Sequence, residues 1–167
     1  MAESNSISAD RLKEILCYDA DTGIFTWNKS RLKCKPGGVA GNSSHRRGYI
    51  QIRLDYKRYY AHRLAWLFVH GVWPTGVIDH INGHTDDNRI ANLRDVSQGA
   101  NRQNQRVPSS SSTVNLLGVS FNRKTGRYVA QIRIQGKQTG LGYFDTPEAA
   151  QEAYITAKRL HHPYSEV

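Results

Sequence analysis

Four polar side chains between residues 79 and 104 have the types and the spacing of a site that could hydrolyse a phosphate ester. Asp79 and His80 are adjacent, and Asn101 and Asn104 lie three residues apart. A carboxylate and an amide oxygen can bind Mg²⁺ or Mn²⁺ while water fills the other coordination positions. An imidazole with an unperturbed pKa of about 6.5 can take a proton from an attacking water. With a metal to steady the charge on the phosphate, these are the groups that a phosphodiesterase needs.

Three short elements must bring these groups together. Branched apolar residues predict strands over 77–80 and 93–96, joined by a loop rich in Asn, Asp and Gly. Ser97 can cap a helix over 98–105. Residues three apart share one side of a helix, so this layout predicts that Asn101 and Asn104 face the Asp-His pair.

Two other interpretations of the same residues have to be weighed. An isolated Asp-His pair at the end of a strand is more often a hydrogen-bonded turn, whereas the joint pattern favours a site. A calcium-binding loop needs oxygen ligands at alternate positions and Gly at the sixth. Counting from Asp79, the third residue is Ile81 and the sixth is His84, so this interpretation fails.

The stretch IDHINGHTDDNRIANLR resembles the ββα-metal site of HNH endonucleases, in particular phage-type and intron-encoded homing endonucleases. The resemblance implies that His80 is the general base and that Asp79 and Asn101 hold a divalent metal, Mg²⁺ or Mn²⁺. Asn92 would tie the loop so that His80 points correctly. Many relatives carry His where this chain has Asn101, and Asn favours a hard, weakly held single metal over zinc.

Residues 1–72 are expected to form an N-terminal helix and hairpins that precede a ββα-metal core over 73–106. The phrases YDADTGIFTW and HRLAW also occur in phage HNH proteins, which supports the resemblance. His62 is the first residue of the second phrase and is therefore a candidate for lining the active site, although a capping or core role is equally open. Asn104 is a further candidate for lining it.

The charge balance predicts a polyanionic partner. The chain has a formal net charge of +9 and a pI near 9.8. Between Lys29 and Arg63 there are ten Lys or Arg residues and one acid, Asp55. Such a run is usually a solvated face, but beside a nuclease motif it predicts a surface that follows DNA phosphates. The residues expected to bind DNA here are Lys33, Lys35, Arg46 and Arg47.

Several other classes of protein are not expected. The sequence has no run of about 18 apolar residues, so no membrane span is predicted. It begins without the basic start and apolar core of a secretory signal. Cys17 and Cys34 form no CxxC pattern, which excludes a four-Cys zinc site and makes packing their expected role. This use of cysteine fits a protein in a reducing cytoplasm, namely that of a bacterial host if the gene belongs to a phage.

A linker separates this region from a C-terminal module. Pro108 and the four Ser residues after it predict a flexible tether over 107–116, which could alternatively lie along DNA. Residues 117–167 predict three antiparallel strands and a helix that starts at Pro147. The strand alternation places Tyr128, Ala130, Ile132 and Ile134 on one face. The helix stripe expected to cover that face is Ala149, Ala150, Ala153, Tyr154, Ala157 and Leu160.

The patterns GVSFNRKTGRYVAQIRI and LGYFDTPEAAQEAY resemble an AP2 DNA-binding domain. The resemblance implies a sheet that enters the major groove, with Gln131 and Arg133 at contacting positions. It does not carry over a target sequence, because Leu117, Ser120, Gln138 and Gly140 replace the Arg and Trp of plant relatives. The other residues expected at the DNA are Arg123, Lys124, Arg127 and Lys137.

The sequence thus predicts an α+β protein: a metal-dependent HNH endonuclease of homing type that nicks or cuts double-stranded DNA, followed by an AP2-like module. Two alternatives stay open, a DNA-binding regulator without catalysis and a non-specific degradative phage nuclease. One active site in each chain implies a nick unless two chains pair, and a monomer is favoured.

Overall fold

The computed structural model describes residues 7–29, 35–43, 48–104, 107–108 and 112–163. The chain divides into two compact units, Met1–Val96 and Ser97–Val167. Helices and small antiparallel sheets occur in both units, which confirms the α+β class. No helix in the described ranges is long and apolar enough to cross a membrane. The division places the helix after Ser97 in the second unit, whereas the sequence grouped it with residues 73–106.

The described part of the first unit contains short helices and three two-stranded antiparallel sheets. The sheets pair β1 with β2, β3 with β4, and β5 with β6. In chain order the elements are α1 Ala9–Ile15, β1 Leu16–Tyr18, β2 Phe25–Trp27, β3 Gln51–Leu54, β4 Lys57–Tyr60, α2 Ala61–His70, β5 Val77–His80, a 3₁₀ turn Ile90–Asn92, and β6 Leu93–Val96.

Two helix boundaries of this unit are set by side-chain and backbone capping. Ser8 caps α1 by accepting a hydrogen bond from the Arg11 backbone N–H at 3.2 Å. Gly71 ends α2 with φ 74°, and its N–H donates to the Leu67 carbonyl at 2.9 Å. The apolar sides of both helices and of the strands bury one core, which includes Leu12, Leu16, Phe25, Ile52, Leu54, Leu64 and Leu67.

Two features of the first unit were not predicted. The apolar stripe of Leu12, Ile15 and Leu16 predicts a first helix over 9–16. Leu16 instead starts β1, because β1 pairs with β2 and this pairing buries Leu16 against the core. The 3₁₀ turn Ile90–Asn92 was read as loop, since three residues are too short to show a helical period. This turn sets the entry into β6.

The second unit contains α3 Gln98–Gln103, β7 Val119–Asn122, β8 Arg127–Ile134, β9 Lys137–Phe144 and α4 Pro147–His161. The three strands form one antiparallel sheet in the order β7-β8-β9, as expected. A register shift at Ala130/Gln131 bulges β8 against β9. The described residues 107–108 and 112–116 form no helix or strand, in keeping with the predicted linker. The linker boundary itself stays a prediction.

Helix α4 covers the sheet with a stripe that differs from the predicted one. Ala150 and Tyr154 are buried, as expected, but Leu160 is 77% exposed and Ala149 is exposed. Lys158 is buried instead, at 1% exposure, because positions 150, 154 and 158 follow each other at four-residue intervals on one side. Leu160 lies two residues further on, about 200° around the helix.

Candidate active site

Asp79 and His80 occupy the last two positions of β5, opposite Arg94 and Leu93 of β6. The register brings the Arg94 guanidinium onto the Asp79 side chain. Its Nε and Nη2 atoms each lie 2.8 Å from Asp79 Oδ2. Because Asp79 is buried, this ion pair fixes the carboxylate at the end of the strand.

His80 belongs to a group of four contacting aromatic rings, which we call the histidine cluster: Tyr49, Tyr60, His62 and His80. The ring centres of His62 and His80 are 5.1 Å apart in an edge-on arrangement. Tyr60 stacks on His62 at 5.4 Å with an angle of 14° between the planes. Tyr49 lies 5.3 Å from His62 and 5.9 Å from His80. His62, at the start of α2, therefore lies beside His80.

Asn88 orients the His80 ring. Its Nδ2 donates to the Asp86 carbonyl at 3.1 Å, so its Oδ1 is the atom that faces His80 Nε2, at 3.4 Å. An acceptor at Nε2 favours the tautomer with the proton there and the basic lone pair on Nδ1. Asn88 is itself anchored to the core, because the Tyr18 hydroxyl donates to its backbone carbonyl at 2.7 Å.

Asn92 joins the two ends of the loop between β5 and β6. Its Nδ2 donates to the Asp87 carbonyl at 2.9 Å, and its Oδ1 accepts from the Asn82 N–H at 3.0 Å. Arg89 donates to the Asp87 carboxylate through two nitrogens, at 2.8 and 2.6 Å. The hydrogen bonds that the Asp87 carboxylate accepts, those from Arg89 first, lower its pKa from 3.8 to about 2. The loop that follows His80 is thus closed by its own side chains.

Burial keeps both histidines of the site neutral. It lowers the pKa of His80, and the Asn88 hydrogen bond and the Asp79 charge only partly offset this effect. Burial is the main cause that lowers the pKa of His62 from 6.5 to about 3, and the Arg63 guanidinium and the protonated form of His80 act in the same direction. Nδ1 of His62 is buried without a hydrogen-bond partner among the described residues. A neutral imidazole is the form that can accept a proton from water.

The remaining predicted site residues lie in the second unit, in an exposed turn of the first unit, or outside the described ranges. Asn101 lies on α3 and Asn104 is its C-cap residue, both in the second unit. Lys35 is exposed in a turn of the first unit. The other three predicted DNA-binding residues of the basic run, Lys33, Arg46 and Arg47, fall outside the described residues, as does Cys34.

In the second unit, the predicted DNA-binding residues lie on the open face of the sheet and at its two ends. Gln131 and Arg133 share the sheet face opposite α4, where Gln138 donates to Gln131 at 2.6 Å. Arg127 pairs with Asp145 at 2.9 Å, which offsets its charge. Arg123 and Lys124 lie in the exposed β7–β8 turn, and Lys137 starts β9 at the other end of the sheet.

Comparison with known proteins places the residues around His80 in a family. A family model for the HNH endonuclease matches residues 59–106. Protein 3.8 of Escherichia phage T7 is 30% identical over 115 residues, which are 66% of this chain and 94% of the phage protein. The chain belongs to the family of that phage protein and carries an HNH endonuclease domain. No solved structure matches the chain significantly. The HNH domain contains His62, Asp79, His80, Asn88 and Asn92.

The donors at the end of β5 fit a sparsely ligated hard cation, and HNH nucleases generally use a divalent metal ion. Within the described ranges, no three His, Cys, Asp or Glu side chains converge into a metal cage. Mg²⁺ is usually held by one or two carboxylates, and waters and substrate phosphates complete its coordination. The buried Asp79 carboxylate supplies a ligand of that kind in the HNH domain.

Sequence reasoning missed four residues of this site. Asn88 was taken as turn chemistry, although its place between the two ends of the motif was a usable signal. Tyr49 and Tyr60 were read only as strand residues, and Arg94 was not singled out. Their roles depend on side chains that meet across strands, which a linear pattern does not record.

Proposed function

We propose that this protein is a metal-dependent HNH endonuclease that hydrolyses phosphodiester bonds in double-stranded DNA. The observation that carries the proposal is a buried, neutral imidazole, His80, which is oriented by Asn88 and directly follows the buried Asp79 in β5. An HNH domain implies a DNA substrate, and the net charge of +9 suits one.

The proposed chemistry starts at His80. Nδ1 of His80 takes a proton from a water molecule while the water oxygen forms a bond to phosphorus. The bond between phosphorus and the leaving sugar oxygen breaks, and that oxygen takes up a proton from solvent. Asn88 and Asn92 act as positioning residues: one orients the ring, and the other closes the loop that follows it.

Asp79 is the carboxylate proposed to hold the divalent metal, Mg²⁺ or Mn²⁺. When bound, the metal would stabilise charge on the phosphate and on the leaving oxygen. Arg94 fixes one oxygen of Asp79 and so limits how the carboxylate can turn. Asn101 stays a predicted second ligand, on the strength of the family resemblance alone.

The second unit is proposed to anchor the enzyme on DNA through its open sheet face, as the AP2-like pattern implies. The alternation that buries Ala130 and Ile132 leaves Gln131 and Arg133 exposed on the other face. A catalytic unit joined to a separate DNA-binding unit suits a homing-type enzyme, which cuts DNA at one recurrent position.

Incubation of supercoiled plasmid and genomic fragments with Mg²⁺, Mn²⁺ or EDTA, followed by mapping of the ends, tests the proposal. We expect nicks in the metal samples, none in EDTA, and ends at recurrent positions. Ends scattered over the DNA would identify a degradative nuclease instead. Tight site-specific binding without cleavage in either metal would identify a regulator with an inactive HNH domain.

A further inference from the structure

The hairpin β3–β4 turns through two residues in the left-handed region. Asp55 has φ 43° and Tyr56 has φ 68°. Two-residue hairpin turns of this kind favour Gly or Asn, and a bulky side chain with positive φ is an outlier. The Tyr56 side chain gains no packing in return, since it is 93% exposed. Local stability therefore does not explain a tyrosine at this position.

The same hairpin carries a second unfavourable feature. Arg53 and Arg58 are direct cross-strand partners, and both are exposed. Side chains at such positions start about 5 Å apart, where like charges repel. Asp55, the acid at the turn, lies 3.6 Å from Arg11 of α1. Two cations and an aromatic ring thus concentrate on one exposed hairpin.

The outer face of the hairpin leads to the histidine cluster. Side chains alternate along a strand, so Arg58 and Tyr60 of β4 share a face, opposite Arg53 and Gln51 of β3. Tyr60 stacks on His62, which lies beside His80. From Lys57 to Tyr60 strand β4 spans about 10 Å. That length corresponds to about three base pairs of duplex DNA.

We propose that the β3–β4 hairpin is a DNA-contacting element that holds the duplex beside the cleaved bond. Arg53 and Arg58 bind phosphates, and the Tyr56 ring packs against sugars or base edges at the groove. Duplex DNA relieves the repulsion of the two guanidinium groups and gives the exposed ring a contact surface. This inference rests on the proposed nuclease function, because it requires the substrate to lie at the histidine cluster.

Binding of a labelled DNA duplex to the full chain in EDTA, measured by fluorescence anisotropy, tests the inference without cleavage. Tyr56→Gly should weaken binding about tenfold by removing the ring contact. It should also raise the melting temperature by about 2–4 °C, because Gly suits positive φ. Tyr56→Phe keeps the ring and should bind like the parent.

Arg53→Glu gives an independent measurement on the same hairpin. It converts a repulsive cross-strand pair into an attractive one, so we expect unchanged or higher stability together with weaker binding. The slope of log Kd against log salt concentration should flatten by about one, as for the loss of a phosphate contact. Lys13→Glu on α1 changes the net charge equally and is the matched control.

The outcomes separate the two proposals. If Tyr56→Gly and Arg53→Glu bind duplex DNA as the parent does, the hairpin inference is overturned while the nuclease proposal stands. A loss of binding that comes with a lower melting temperature also overturns it, because the tyrosine would then be structural. If the two variants bind the duplex as the parent does and lose affinity only for a single-stranded probe of the same sequence, the assignment to duplex DNA is overturned. If the parent neither binds nor cuts DNA, both proposals fail.

Discussion

At the scale of single residues, the proposed chemistry depends on two neutral imidazoles, His80 at the end of β5 and His62 at the start of α2. Burial depresses the pKa of His80 and of His62, and each ring contacts the other. His80 can then accept a proton at physiological pH without first losing one. Asn88 decides which of its two nitrogens does so, because an amide oxygen faces Nε2.

Replacing Asn88 should move the pH profile of cleavage. Asn88→Asp places a carboxylate at His80 Nε2, which stabilises the imidazolium and should raise the acid limb of kcat/KM by about one pH unit. Asn88→Leu removes the acceptor and should lower kcat about tenfold or more. The measurement is initial nicking rate against pH. An unchanged acid limb in Asn88→Asp would mean that Asn88 acts only in folding.

His62 should make the stability of the first unit depend on pH. Below about pH 6.5 the unfolded chain protonates His62, whereas the folded state resists protonation down to a pKa of about 3. Stability is therefore full above pH 6.5 and falls as the pH drops towards 3, by about 2 kcal/mol between pH 6.5 and 5. His80, also depressed, acts in the same direction.

Thermal melting across pH 5 to 7 checks this expectation. His62→Phe keeps an aromatic ring without a titrating group, so its melting temperature should fall less on acidification. His84 is exposed in the loop after β5, and His84→Phe is the matched control. Equal slopes for His62→Phe and the parent would contradict a buried neutral His62.

At the scale of elements, the turn between β1 and β2 supports the loop that follows His80. Gly23, at φ 72°, lies so close to the loop that a Cβ would be 2.4 Å from Arg89 N and 2.5 Å from Asn88 C. Backbone atoms cannot yield as a flexible side chain can, so any added atom must displace Asn88. Gly23 and Tyr18 therefore hold the residue that orients His80.

Gly23→Ala should lower both stability and turnover. Alanine at positive φ destabilises by about 1 kcal/mol or more, and the displaced Asn88 should reduce kcat at least several-fold. Gly37→Ala is the matched control, because Gly37 has φ 76° and nothing lies within 4 Å of the added Cβ. Melting temperature and nicking rate are measured for both. Equal kcat in the two variants would contradict a link between the turn and the site.

The elements that could be predicted from sequence are those with strong local signals. Strands β5 and β6 were predicted with their observed ends, and the alternation of β8 correctly gave its buried face. Strand β1 was missed because Leu16 continues the helical stripe of α1, and only pairing with β2 makes it extended. Asn88 and Tyr60 were missed as site residues because tertiary contacts alone bring them to the histidines.

At the scale of the whole molecule, the net charge of +9 should dominate DNA affinity. An exposed cation that is paired with an acid should contribute less to this affinity than one that is not. Arg133 is exposed on the open sheet face, whereas Arg127 is paired with Asp145. We expect Arg133→Ala to weaken duplex binding several-fold and Arg127→Ala to weaken it less. Salt titration of binding measures both. A larger effect at Arg127 would contradict the proposed role of the sheet face.

His80→Ala tests most directly whether His80 activates the attacking water in DNA cleavage, as we propose. Rates of plasmid nicking with Mg²⁺ and duplex affinity in EDTA are measured for His80→Ala, with His84→Ala as the control from the same loop. We predict that His80→Ala loses about 10²-fold to 10⁴-fold in nicking rate and keeps its Kd within about twofold. Nicking by His80→Ala at the rate of the parent would contradict the account.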